Sequence, residues 1–300
     1  MNAQGLPTTI PEYLEQLRVA LKGADPAMIQ DALYDAEEYL RSELAEQAGK
    51  NEAEVIASVA SSYGAPEEVA DIYRQTEVTV TRALRAPPPP PRRSSLGKFF
   101  GVAADPRTYG ALFYMLLSLI TGTFYFTWVV TGASVSLGTL VLIIGLPLLV
   151  LFFGSIRVLS LVEGRIVEAL LGQRMPRRPL YTDRDRPWLS RIGDMFTDGR
   201  TWSTMLYLLL MLPLGIVYFT LATVLLSTSL TMLASPLLYF WDDSLVWVDG
   251  VSVTITHAWA IPLVTLAGLV LLFVTLHVAR GIGHMHGWLA KQLLVRSPLV

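Results

Sequence analysis

The side chains most able to do chemistry are four histidines, a crowd of arginines and a glutamate pair behind a proline. His277 and His284, an i, i+7 pair, share a helical face with Arg280, whereas His286 is two residues from His284 and points to another side. That spacing does not converge on one metal, so interfacial packing and headgroup contact are expected, with no metal and no cofactor. His257, near Asp242 and Asp243, could titrate near neutral pH. Arg174, Arg177, Arg178, Arg184, Arg186 and Arg191, mixed with Asp183, Asp185 and Asp194, suit either anionic lipid or an acidic segment of the same chain. In Tyr63-Gly64-Ala65-Pro66-Glu67-Glu68 the glycine ends one helix and the proline opens the next. The two glutamates are then an exposed contact for a partner, or simply helix caps. Cysteine is absent, which excludes thiolate chemistry and disulfides, and no Walker loop, HExxH or GxSxG appears. Enzymatic activity and direct nucleic-acid binding are therefore not expected.

These residues sit in a chain of two chemically different parts. Before Ala86, 15 acidic face 7 basic residues, a net −8; after it, 10 face 16, a net +6. From Pro11 to Arg74 apolar residues recur at helical spacing, and four short helices are expected, capped by Thr8 or Thr9, Asp25 and Asn51. Residues 1–85 thus read as an acidic helical head, with too thin a core to be comfortable alone, so docking onto a partner or a second copy is expected. No signal peptide precedes it, and the head is expected to stay in the cytoplasm. Residues 86–104 form a linker, in which five consecutive prolines give a stiff polyproline spacer.

The rest, 105–300, is mostly apolar, with runs over 109–131, 136–156, 203–241 and 258–276, each long enough to span a bilayer. The third run could be one span with an outer segment, or two spans. DPRTYGALFYMLLSLITGTFYFT from Asp105 aligns without gaps on DGRTWSTMLYLLLMLPLGIVYFT from Asp198, an offset of 93, pairing Tyr114 with Tyr207 and Gly122 with Gly215. Arg157, Gly164, Leu170 and Leu171 return as Arg280, Gly287, Leu293 and Leu294, an offset of 123. Two repeats, about 105–171 and 198–294, are expected, the second with an outer insertion at about 225–254. Each repeat is a hairpin, the first turning at Thr131 to Ser136, which makes four crossings. This topology keeps both termini and the basic residues on the cytoplasmic face, leaving Asp242, Asp243 and Asp249 outside. Within the insertion SLVWVDGVSVTI reads as a β-hairpin turning at Asp249-Gly250, and Trp241, Trp247 and Trp259 suit the outer interface. The outer segment with Trp241, Asp242, Asp243, Trp247, Asp249 and His257 is the candidate sensing surface. EGRIVEALLG and HGWLAKQLLV, after the second and fourth crossings, read as helices lying along the inner interface. The fold class expected is all-α: a small cytosolic bundle plus a four-crossing membrane domain.

EYLEQLRVAL, DALYDAEEYL and YGAPEEVA make residues 11–74 resemble the HAAS (DUF1700-type) signalling domain, often encoded beside PadR-like transcription regulators. Residues 105 to about 295, with the repeated D-x-R-T-aromatic start, IIGLPLL and HVARGIGHMHGWLAKQLL, resemble the sensor membrane domain that precedes many bacterial histidine kinases. The pairing implies a prokaryotic plasma-membrane signalling protein that senses an envelope or lipid condition and passes it to a cytoplasmic partner, such as a PadR-like regulator, through the head. Two other readings stand beside it. One is a self-assembling, homo-oligomeric bilayer scaffold; the other is a small transporter, disfavoured because no charged residue falls at the midplane of a crossing.

Overall fold

The computed structural model describes residues 7–47, 49–84, 94–142, 144–178, 193, 196–241, 244–248, 251–254 and 258–295. The head comprises α1 (Ile10–Ala20), α2 (Pro26–Glu46), α3 (Glu52–Ser62) and α4 (Pro66–Leu84). Short polar side chains start these helices by satisfying free amide donors: Thr9 Oγ1 accepts from Glu12 N, Asp25 Oδ1 from Ala27 N, and Asn51 Oδ1 from Glu54 N. Tyr13, Leu17, Leu21, Leu40 and Ile56 fill the small core. The Tyr13 hydroxyl donates to Gly64 O at 2.7 Å, pinning the α3–α4 turn where Gly64 adopts φ +116°.

Four helices are long and apolar enough to cross a membrane. They are α6 (Pro106–Gly138), α7 (Gly145–Leu171), α8 (Gly199–Leu233) and α10 (Ile261–Leu294), with the short α5 (Ser95–Phe100) leading into the first. At 1.5 Å per residue the shortest, 27 residues, reaches about 40 Å, well beyond a hydrocarbon core of about 30 Å. Each crossing therefore has a stretch beyond the lipid core.

Two expectations are corrected and one open alternative is decided. Residues 131–136 are helical: despite Gly132, Gly138 and several β-branched or hydroxyl residues, no proline breaks the backbone ladder, α6 continues to Gly138, and the reversal lies between Gly138 and Gly145. EGRIVEALL and HGWLAKQLL are not separate interfacial helices but the unbroken last turns of α7 and α10. Their small and apolar positions, Gly164, Val167 and Leu171 in one and Gly287, Ala290 and Leu294 in the other, are buried inside the protein, Gly164 facing Met175 and Gly287 facing Gln173 of the segment after α7. The 203–241 run is one crossing followed by the separate α9 (Ser235–Trp241), which settles the count of apolar spans among the described residues at four. Pro213 sits inside α8 without ending it.

Beyond α9, β1 (Ser244–Val248) pairs antiparallel with β2 (Val251–Thr254), setting Val246 opposite Val253 and Trp247 opposite Ser252. The turn itself, Asp249-Gly250, lies outside the described residues.

The tightest approach in the body is between α6 and α8. A Cβ on Gly122 would stand 2.3 Å from Met211 O, and one on Gly215 would stand 2.3 Å from Ser118 O. Both pairs of positions differ by the same 93 residues, so the crossing is two-fold in its contacts. Glycine is required because the backbones touch, the device by which membrane helices gain packing without a hydrophobic drive.

Candidate functional site

Near the head-side end of the body, each crossing contributes a polar side chain at the same level. Tyr114 and Tyr207 lie eight residues into α6 and α8, and Glu163 and His286 lie eight residues before the ends of α7 and α10, all about 12 Å from those ends. Helical side chains lean toward their own N-terminus, so Tyr125 and Tyr218, from one face further along α6 and α8, reach back into the same layer. Glu163 and His286 are both fully buried, at 0% exposure.

Glu163 Oε1 accepts from the hydroxyls of Tyr114 (2.7 Å) and Tyr207 (2.9 Å), and Oε2 accepts from Tyr125 (2.9 Å). The oxygens of Tyr114 and Tyr207 also lie 2.5 and 2.9 Å from His286 Nε2, and Tyr218 Oη lies 3.4 Å from His286 Nδ1. A carboxyl group and an imidazole are thus joined through two phenols. Tyr114, Tyr125 and Glu163 plus the offsets of 93, 93 and 123 give Tyr207, Tyr218 and His286. One set of three side chains therefore faces its counterpart, with carboxylate in one copy and imidazole in the other. The same relation recurs at the margin: Tyr109 donates to Ala103 O and Trp202 to Phe196 O, both at 2.8 Å. Gly110 abuts Leu170 O, while Ser203, at the matching position, donates to Leu293 O at 2.9 Å.

The expectation that the histidines serve headgroup contact is corrected for His286, whose ring is enclosed by three tyrosines. Likewise Glu163, taken from sequence to lie beyond the second crossing, is inside the helix bundle. Both misreadings share a cause: the apolar run stops before these residues although the helix and its packing continue. The offsets themselves could have found the site, since Glu163 and His286 immediately precede the matched glycines Gly164 and Gly287. His277 stacks on Phe99 and faces its carbonyl at 3.1 Å, and the exposed His284 faces Arg280 O at 2.9 Å. Among the described residues no group of three His, Cys, Asp or Glu could hold a metal.

At the end of α7, Gly172 takes φ +68° and turns the chain so that the next segment meets the head. Asp31 of α2, only 5% exposed, accepts from the backbone N–H of Arg177 (2.7 Å) and Arg178 (2.8 Å) and from the Arg174 guanidinium (3.0 Å). Burial pushes the Asp31 carboxyl above its ordinary value, outweighing the two amides and Arg174, and neighbouring Asp35 adds to the rise. Around this contact Arg178 pairs with Asp35 (2.9 Å), Arg174 with Glu77 (3.3 Å) and Lys291 with Asp25 (2.5 Å). Gln30 donates to Arg178 O (2.6 Å) and accepts from Arg200 (2.8 Å), while Ala27 joins the apolar core of the body.

The remaining candidates are placed as follows. Tyr63 stacks on Tyr39 at 4.5 Å, Pro66 is buried at the start of α4, and Glu68 accepts from Ala65 N at 3.2 Å as a helix cap. Glu67 is exposed. Trp241 ends α9 and Trp247 lies in β1, whereas Asp242, Asp243, Asp249 and His257, together with Arg184, Arg186 and Arg191, lie outside the described residues.

Four crossings around an enclosed polar centre define a multi-pass helical membrane protein. The family described as "Putative sensor" matches residues 114–294, more than half of the chain, and the chain belongs to that family. The matched segment runs from Tyr114 of the polar centre to Leu294 at the end of α10. No curated protein and no solved structure matches the chain.

Proposed function

We propose that this protein is a non-enzymatic membrane regulator of a prokaryotic plasma membrane. Its body senses an envelope or lipid condition, and its head, a HAAS-like module, carries the state to a cytoplasmic partner such as a PadR-like transcription regulator. The observation that supports it most is the continuity of α7: one helix holds Glu163 in the polar centre and then hands the chain to Arg174, Arg177 and Arg178, which hold Asp31 of the head. A shift or rotation of α7 against its neighbours cannot occur without disturbing the head's anchorage. The basic character of this end of the body favours the cytoplasmic side for it and for both termini. Released from the body, the acidic α2 face would be free for a basic partner surface, and exposed Glu67 marks a second contact.

The test is crosslinking in the native membrane from a photoreactive residue at position 67, in the wild-type chain and in Asp31→Ala. Recovery of a transcription regulator whose yield changes between the two supports the relay. If no regulator is recovered and deletion of residues 1–85 leaves neighbouring transcription unchanged, the proposal fails.

A further inference from the structure

We infer that the polar centre is a proton-binding site, in which Glu163 and His286 together hold one proton that passes between them through the Tyr114 or Tyr207 hydroxyl. The inference rests on hydrogen-bond bookkeeping together with the net charge of a fully buried site, and does not depend on the head-to-body relay.

Each phenol has one hydrogen to give. When Glu163 is a carboxylate, Tyr114, Tyr125 and Tyr207 all donate to it, so only oxygen lone pairs of Tyr114 and Tyr207 face His286 Nε2. Nε2 must then carry a hydrogen. When Glu163 is instead an acid, its Oε1–H donates to Tyr114, Tyr114 donates to an unprotonated Nε2, and Tyr125 and Tyr207 still donate to the carboxyl oxygens. Tyr218 Oη and Nδ1, 3.4 Å apart, can pair with either as donor. With an Nδ1–H in both arrangements the ring is an imidazolium beside the carboxylate and neutral beside the acid, whereas a Tyr218 hydroxyl donating to a bare Nδ1 beside the carboxylate is the form that holds no shared proton. The two forms, acid with neutral imidazole and carboxylate with imidazolium, have the same proton count and need no movement of heavy atoms. They interconvert by one concerted step: the Glu163 O–H bond breaks as a Tyr114 O–H forms, while the original Tyr114 O–H breaks and an Nε2–H forms. Tyr207, at 2.9 Å from both Oε1 and Nε2, offers a second route.

The net charge of the pair is zero in both forms. Removing the proton leaves an uncompensated −1, and adding a second leaves +1, in a site with no exposure to water. The groups facing the centre are Tyr114 and Tyr125 from α6, Glu163 from α7, Tyr207 and Tyr218 from α8, with the Met211 sulfur, and His286 from α10. Glu163 and His286 are the buried acid and buried base of the body among the described residues. Among the described residues no other buried charge of the body offsets a gain or loss, so holding one proton is favoured over holding none or two.

The experiment reads both partners in the full-length protein in lipid bilayers near neutral pH. Infrared spectroscopy with labelled glutamate, assigned by loss of the band in Glu163→Gln or its displacement in Glu163→Asp, reports acid or carboxylate. Nitrogen NMR of labelled histidine reports the His286 ring. An acid with a singly protonated ring, a carboxylate with a doubly protonated ring, or exchange between these forms is the expected result. A carboxylate beside a singly protonated ring, or an acid beside a doubly protonated one, overturns the inference. The route is tested separately: Glu163→Gln should change the His286 nitrogen signals with either Tyr114→Phe or Tyr207→Phe present, and leave them unchanged when both are. Persistence of the full change in the double phenylalanine variant overturns the phenol relay.

Discussion

Replacing Asp31 with alanine should release the head from the body. The substitution removes three acceptor contacts at 2.7, 2.8 and 3.0 Å from a nearly buried site. Hydrogen bonds to a charged group are each worth about 1.5–3 kcal/mol, and breaking a buried ionic contact from one side costs about 3–5 kcal/mol. Two effects reduce this. Arg177 and Arg178 are half-exposed or exposed, so water can reach their freed amides, and the burial penalty of the Asp31 charge disappears with it. A net loss of about 2–3 kcal/mol remains, or about 30- to 150-fold in the docking equilibrium. Asp35→Ala is the control. Its pair with Arg178 is 33% and 49% exposed, in the range of surface pairs worth about 0–1 kcal/mol, less than about fivefold. The cysteine-free chain permits spin labels at Glu38→Cys on the head and Ala169→Cys on α7, both exposed positions. Electron–electron distance measurements in nanodiscs should give a narrow distribution for the wild type and for Asp35→Ala, and a broad one for Asp31→Ala. An unchanged distribution in Asp31→Ala, or a larger effect from Asp35→Ala, refutes the reasoning.

Docking should also depend on pH through Asp31. Its carboxyl is raised above the ordinary 3.8 in the docked state, which therefore binds the proton more tightly. Docking should strengthen as pH falls through the raised value toward 3.8, and weaken as pH rises through it; the same distance measurement in Asp31→Asn should lack that component. Gly122→Ala and Gly215→Ala each drive a methyl onto a carbonyl at 2.3 Å and should each cost about 1–3 kcal/mol, read as lower thermal stability in detergent; two neutral variants would contradict the two-fold crossing. Tyr13→Phe loses the bond to Gly64 O and should lower head stability by about 1 kcal/mol, visible as earlier loss of protection in hydrogen exchange over residues 63–68. A cysteine at Asp249 should react with impermeant reagent only from the side opposite the head, and labelling from the head side would reverse the topology.

Much of the architecture is written in local pattern. A run such as 203–233 is long and apolar enough to cross a membrane, and Asp25, Asn51 and Gly64 start or stop helices because short polar side chains and glycine satisfy or permit what a helix end requires. The pairing of Tyr114 with Tyr207 was likewise legible from the 93-residue offset. Helix ends were less so, since hydropathy measures contact with lipid and is silent on where a helix continues beyond it. That is why α7 and α10 were cut short at 156 and 276, with Glu163 and His286 left outside.

What the sequence alone determined is an acidic helical part followed by a mostly apolar body with a recurring pattern, because charge and hydropathy act locally; the proline run lies outside the described residues. What only the tertiary structure decided is which polar groups meet. Glu163 and His286 are 123 residues apart on different helices, and although each precedes a matched glycine, the offset marks equivalent positions and does not say that the two side chains meet. Their partnership arises because two glycines let α6 and α8 cross in contact, which brings four tyrosines into one layer where a carboxylate and an imidazole can be buried together. The anchorage of Asp31 is of the same kind, for two backbone amides become a binding site only once Gly172 has turned the chain toward α2.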